Sequence, residues 1–477
     1  MKIVFAASEA APYIKTGGLG DVARALPRAL AKSGEHKVTL FLPYYKKIKN
    51  DPSVRCRKIT DFRMALSWRD QYVGLFKLEN GDSGAEVFFV DNEYYFNRDG
   101  IYGYDDDGER FAYFDKAILE SLCRLKEVPD VIHCNDWQTA LIPVLLNAFY
   151  YQILGSAKTV FTIHNIEYQG WAHPYFLGDV LGLDTSWDNV FKMYESLNFM
   201  KAAVITSDAV TTVSRTYARE ITDPYFAHGL DGIIRDNSFK LTGIINGIDP
   251  VDNDPETDKG LAFNYGPGDH LSGKQKNKEA LFEKLGLSDP SAPLIGTVSR
   301  LAEHKGMDLI CGAAEEILSQ NVRIAVLGTG DPRFEEAFRD LANRYPDRFS
   351  ANIRFDRELA SMIYASSDLY LMPSKSEPCG LSQMIAMRYG AVPVVHETGG
   401  LADTVPPRDP AAGTGLGFTF RNYDCPDMNY ALRRALELKN SDRDAWNALV
   451  TDCMTTDFSW DGPAKEYVAL YKKLTRR

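Results

Sequence analysis

Thr16-Gly17-Gly18-Leu19-Gly20-Asp21, close behind the apolar run Ile3–Ala7, returns near the other end of the chain as Thr398-Gly399-Gly400-Leu401-Ala402-Asp403. Paired glycines let a backbone turn sharply and carry N–H groups up to an anion, and the helix that follows adds its positive end. Lys15 stands before the first copy as a point charge suited to phosphate. Glu377-Pro378-Cys379-Gly380-Leu381 stands before the second. One such turn in each half predicts two related α/β halves facing one ligand.

The rest of the chain fits that frame. Short apolar runs at Ile3–Ala7, Lys37–Leu42, Val87–Val90, Val131–Cys134, Val160–Ile163 and Val210–Val213 read as buried parallel strands. Helical stretches lie between them, among them Asp21–Ser33, Glu109–Leu125 and Gln138–Leu146; Pro27 should kink the first or delay its start. A second series follows residue 290: strands Leu294–Val298, Val322–Leu327, Leu369–Met372 and Val392–Val395, with helices Asp308–Ser319, Pro332–Arg344, Leu381–Tyr389 and Asp427–Leu438. Strand–helix alternation of this length predicts doubly wound parallel sheets. The turn-rich Ile245–Pro250 and the polar stretch 251–273 put the boundary near 242–250. The expected domains are therefore 1–242 and 243–457, with the amphipathic segment 458–477 completing the first.

Composition narrows the function classes. The 477 residues carry 54 basic and 65 acidic side chains, a net charge of −11, and 45% are hydrophobic. An acidic chain of this kind is a poor partner for nucleic acid or an anionic membrane, so any basic cluster must be local. The seven cysteines are scattered, with no C-x-x-C pair, which points to a reduced, cytoplasmic protein and away from zinc. No run approaches the length of a membrane span.

Two motifs are decoys. Gly268–Lys274 has phosphate-loop spacing, but Gln275 stands where a Ser or Thr should hold magnesium, and no strand precedes it. Gly18–Ala23 matches a dinucleotide fingerprint, yet lies too far beyond its strand, and Phe41-Leu42-Pro43 supplies no acid for a ribose. A nicotinamide enzyme is not expected.

Ligands of doubly wound sheets bind at the carboxyl ends of strands. The polar residues there are Asn135-Asp136-Trp137, His164-Asn165, Arg300 with Lys305-Gly306, Gly328–Asp331, and Glu377. Arg300 and Lys305, with Lys15 and the turns at Gly18 and Gly380, make a plausible diphosphate cradle: a fork for two oxygens plus mobile charges. The rings of Tyr94-Tyr95-Phe96 and Tyr168-Gln169-Gly170-Trp171 fit either a core or a sugar face.

Taken together, these motifs resemble the bacterial glycogen synthase and plant starch synthase family over nearly the whole chain. The resemblance rests on Lys15–Leu19, His133–Ala140, His164–Gly170, Asn246–Asp249, Arg300-Leu301 with Lys305-Gly306, Glu377–Leu381 and Thr398–Leu401, in the family's order. It implies an α/β architecture of two Rossmann-like doubly wound domains facing a cleft, of the GT-B type. It also implies retaining transfer from ADP-glucose to the non-reducing end of an α-1,4-glucan, with no catalytic metal and no cofactor.

Carried over by residue, Lys15, Arg300 and Lys305 would hold the diphosphate, with backbone from Gly18, Leu381 and Ser382, and Phe355 would stack on adenine. His164 would meet the donor glucose near its reacting carbon, and Glu377 its hydroxyls. Asp136 and Tyr95 would lie by the sugar and acceptor, and Asn246 on the donor side. Gly17, Asn165, Cys379, Gly380, Thr398 and Gly399 complete the expected binding set. Ser382 stands where Thr is common, His304 for Gln and His396 for Arg. Ile385 removes the second Glu of the related E-x₇-E transferases. A UDP-glucose or other-acceptor transferase, or a non-catalytic glucan-binding relative, is the alternative.

Overall fold

Near-continuous Ile, Val, Leu and Phe runs have two apolar faces to bury, so they pair as parallel strands with helices on either side. In the computed structural model, which describes residues 1–79 and 84–476, this gives two compact units: Met1–Asn246 with the terminal stretch from Trp460, and Gly247–Ser459.

The first unit holds strands β1 (Lys2–Ala6), β2 (Lys37–Pro43), β3 (Cys56–Leu66), β4 (Arg69–Leu78), β5 (Glu86–Asp91), β6 (Val131–Asn135) and β7 (Lys158–Ile163). After these come β8 (Trp171–Ala172), β9 (Lys192–Met193), β10 (Ser196–Asn198), β11 (Ala209–Thr212) and β12 (Leu241–Gly243). Nine of them form one sheet in the order β12-β11-β7-β6-β1-β2-β5-β4-β3. Only β4 runs against the other eight; it pairs antiparallel with β5 and with the edge strand β3, forming a hairpin with the latter. Strands β8, β10 and β9 make a separate antiparallel sheet. Neither the hairpin nor the small sheet was expected.

The second unit has β13 (Leu294–Val298), β14 (Arg323–Leu327), β15 (Phe349–Asn352), β16 (Leu369–Met372), β17 (Val392–His396) and β18 (Phe418–Phe420). They form an all-parallel sheet in the order β15-β14-β13-β16-β17-β18. In each sheet the winding reverses beside the first strand, between β1 and β6 and between β13 and β16. Those are the crevices where doubly wound sheets take ligands.

Two helices correct the sequence reading. The first runs Gly18–Ala31 with Pro27 inside it, so proline did not delay the start; the helix begins nine residues earlier. Helix His270–Leu285 occupies part of the stretch read as polar exit. Its Gly273, the end of that stretch, is needed because a Cβ there would overlap the Tyr265 ring. The Gly268–Lys274 decoy runs into this helix, and Lys274 is structural: its ammonium donates to the carbonyls of Ala365 and Ser367, each 2.9 Å away.

The terminal helix spans Asp461–Thr475; Arg477, the end of the expected segment, lies outside the described residues. It packs on the first unit, where the Tyr471 hydroxyl lies 2.7 Å from Nδ1 of buried His133 on β6. Among the described residues no helix is long and apolar enough to cross a membrane.

Candidate functional site

After β1 the chain turns through Lys15–Gly17 into its first helix, which has no side-chain cap. The anion at the glycine turn is the protein's own. Buried Glu9 accepts from Thr16 N at 2.6 Å, Thr16 Oγ1 at 2.7 Å and Gly17 N at 3.2 Å. Burial raises the Glu9 pKa, and these hydrogen bonds oppose the rise. The turn is thus pre-shaped; Gly20 N closes on Gly17 O at 3.3 Å, and the Gly18 and Leu19 amides are left as first-turn donors without acceptors inside the helix. Lys15 pairs with Asp21 at 2.6 Å on the exposed side.

At the ends of β6 and β7 three expected residues come together. The Asp136 carboxylate accepts from His164 N at 2.7 Å and Asn165 N at 3.4 Å. The Asn135 side-chain oxygen lies 2.9 Å from His164 Nε2, while its amide donates to Ala6 O. With Asn135 so oriented, His164 carries its proton on Nε2 and keeps a lone pair on Nδ1. Burial pulls the His164 pKa down to about 3, so the imidazole is neutral. The same desolvation pushes Asp136 up to about 7, against the two amides that stabilise its charge. Asp136 holds φ at +57°, a strained conformation for a residue with a side chain, of the kind that clusters at functional sites.

Two predicted contacts of the first unit stand apart from this cluster. Tyr95 is 0% exposed, and its hydroxyl donates to Glu109 at 2.6 Å. The expected sugar contact of Tyr95 is not open here, because its ring is spent in a cluster with Phe96 and Tyr113. Asn246, the last residue of the unit, is buried, and its side-chain oxygen has no hydrogen-bond partner among the described residues.

In the second unit, Arg300 follows β13. Its side chain is exposed and makes no ion pair among the described residues. Five residues on, Lys305 donates to Glu377 Oε2 at 2.6 Å, and Ser374 Oγ donates to the same oxygen at 3.0 Å. Glu377 is buried and lies beyond β16, on the other side of the crossover. The second glycine turn braces this carboxylate's backbone. Gly400 N donates to the carbonyl of Glu377 at 3.0 Å, and a Cβ on Gly399 would overlap that same oxygen.

Cys379 lies against Gly400, where a Cβ would overlap its carbonyl, while Gly380 has Gln383 beside it. Thr398 and Gly399 open helix Gly399–Thr404, and the expectation of free N–H groups fails at Gly400, whose donor serves a carbonyl. Leu381 and Ser382 open helix Ser382–Arg388. Phe355, beyond β15, is 91% exposed. Glu9 and Ser374 escaped the sequence reading. The signal for Glu9 was an acid seven residues ahead of a glycine turn, in an otherwise apolar strand end.

The chain is similar to known proteins over its whole length. Residues 2–236 match the family described as starch synthase catalytic domain, and residues 292–437 match glycosyl transferases group 1. A glycogen synthase of Clostridium acetobutylicum is 47% identical over 99% of both chains. One of Streptococcus agalactiae is 47% identical over 99% of this chain and 100% of its own. The catalytic domain of starch synthase IV from Arabidopsis thaliana, bound to ADP and acarbose, superposes with a TM-score of 0.92 at 37% identity. That match covers 100% of this chain and 99% of the other. A sucrose-phosphate synthase of Thermosynechococcus elongatus, at 18% identity and TM-score 0.62 over 99% and 98%, shares the fold.

Proposed function

The chain belongs to the glycogen and starch synthase family of glycosyltransferases, and on that premise we propose that it moves glucose from ADP-glucose to the non-reducing end of an α-1,4-glucan, retaining the anomeric configuration. The observation that carries the proposal is the second unit's crossover. There an exposed, unpaired guanidinium and a lysine–glutamate pair gather in a chain of net charge −11. Arg300 and Lys305 would neutralise the departing diphosphate, a charge-assisted role worth roughly 1.5–3 kcal/mol per hydrogen bond. Exposed Phe355 would stack on the adenine. The two domains are read as an acceptor-side unit carrying His164 and Asp136 and a donor-side unit carrying Arg300, Lys305 and Glu377.

Breaking the C1–O bond builds positive character on the sugar. Neutral His164, with its Nδ1 lone pair, can accept a sugar hydroxyl or lean on the developing charge without adding a competing cation. Glu377 already receives a lysine and a serine on one oxygen, which suits orienting hydroxyls better than covalent attack. The leaving phosphate would deprotonate the acceptor hydroxyl in a same-face substitution within an ion pair. A trapped glucosyl adduct on Glu377 would overturn that route. Radiolabel transfer from ADP-glucose and from UDP-glucose into glycogen tests the function. Label entering the polymer from ADP-glucose with higher kcat/KM is expected, and preference for UDP-glucose would contradict the donor assignment.

A further inference from the structure

The small sheet β8-β10-β9 is not used by the chemistry above, yet it carries a run of uncovered rings. Trp171 on β8 is 47% exposed, and Tyr194, in the turn between β9 and β10, is 72% exposed. Their planes lie within 23° of each other, with centroids 6.5 Å apart. Tyr175 is exposed nearby in sequence and packs a face against His173 at 4.6 Å. Elsewhere on this protein, exposed rings such as Trp68, Tyr94, Phe149 and Tyr430 lie under a cation. Among the described residues no cation stacks over Trp171 or Tyr194. Neither the Trp171 indole N–H nor the Tyr194 hydroxyl has a hydrogen-bond partner there.

The position of both rings is built in. Tyr194 sits at φ +54°, a conformation bulky residues avoid unless the surroundings impose it. Its hydroxyl is fitted against Gly229, where an added Cβ would come within 2.9 Å of it. Trp171 is tied to the catalytic cluster through its neighbour: a Cβ on Gly170 would meet the Trp137 ring at 2.6 Å, and Trp137 directly follows Asp136. Gly170 O also accepts from Phe199 N at 2.9 Å, locking β8 beside β10.

We propose that Trp171 and Tyr194 form a docking platform for the body of a polymeric α-glucan, separate from the residues that hold its reacting end. The inference rests on the glucan-acceptor reading above. Near-parallel neutral rings suit a neutral polymer whose sugar faces alternate C–H surface with hydroxyls. The rings stack on the C–H face, and the indole N–H and phenol reach the hydroxyls. An anionic partner would call for cations over the rings; Lys192 on β9 and Lys201, whose ammonium donates to the Lys192 carbonyl at 2.6 Å, do not stack on either ring.

The test compares glycogen with maltotriose as acceptors for the full-length protein and its Trp171→Ala/Tyr194→Ala variant, with glycogen-dependent retardation in native gels as a direct binding readout. The platform predicts that kcat/KM for glycogen falls about tenfold relative to that for maltotriose, for two stacking contacts of ordinary strength. It also predicts that gel retardation weakens in step and that Trp171→Phe/Tyr194→Phe, which keeps the rings and loses their polar tips, restores part of both. Equal losses on the two acceptors, or unchanged retardation, would overturn it. Should the double variant fail the circular-dichroism check for folding, retardation of the Trp171→Leu single variant decides by the same criteria. If the unaltered protein transfers glucose to neither acceptor, the catalytic reading falls; retardation then still reads the platform alone.

Discussion

The Lys305 ammonium lies 2.6 Å from Oε2 of Glu377, joining the loop after β13 to the segment after β16 across the point where the second sheet reverses its winding. The pair is largely shielded from solvent, with side-chain exposures of 15% and 7%. Removing one partner leaves a buried charge, which typically costs 3–5 kcal/mol, whereas removing both costs far less. Lys305→Met should therefore lower stability by about 3 kcal/mol and slow transfer by about 10²–10³. Lys305→Met/Glu377→Gln should recover much of the stability and none of the rate. Denaturant midpoints and initial rates on the same preparations check both halves.

Phe355 separates binding from folding. At 91% exposure its loss should change stability by less than about 0.5 kcal/mol. Phe355→Ala should nevertheless raise KM for ADP-glucose about tenfold, at the low end of base–aromatic stacking. Paired melting and kinetic measurements would show the two effects diverge.

Asp136 makes stability pH-dependent in a stated direction. Its folded pKa, about 7, lies above the ordinary carboxylate value. Its contribution is fully present below about pH 4 and is lost as pH rises toward 7. Asp136→Asn keeps an acceptor for the His164 and Asn165 amides and cannot ionise. The stability of the variant relative to the parent should therefore rise from pH 4 to 7 and level off above it, read from urea midpoints across that range.

His164 should stay neutral throughout. With its pKa near 3, its imidazole NMR signals should not titrate between pH 5 and 9. Transfer should show no limb that vanishes in His164→Gln.

Gly400 tests the brace behind Glu377. A methyl group there would overlap the carbonyl of Cys379, so Gly400→Ala should cost about 2–3 kcal/mol, as overpacking does, and displace the glutamate segment. Gly413→Ala, where nothing lies within 4 Å of the added atom, should cost only the strain of its positive φ. Thermal midpoints rank the two.

The parallel strands were legible because double-sided burial writes unbroken apolar runs: Leu294–Val298 and Leu369–Met372 match residue for residue. The hairpin Cys56–Leu78 was not, because an edge pair keeps one face wet. Charges then interrupt the run, as Arg57, Lys58, Asp61 and Arg63 do. Helix His270–Leu285 was hidden in part by Gly273, whose reason is the Tyr265 ring packed against it, a contact invisible in one dimension. At the candidate site, strand-end position alone brought Asp136, His164 and Glu377 to notice. The burial of Tyr95 and the capture of the first glycine turn by Glu9 depend on three-dimensional neighbours that spacing does not encode.

The most direct test of the account is the steady-state kinetics of Arg300→Ala with ADP-glucose and glycogen. If the guanidinium meets the diphosphate as charge develops on it, kcat and kcat/KM fall together by about 10²–10³. A rise in KM with kcat unchanged would contradict the claim, leaving Arg300 as a binding contact alone.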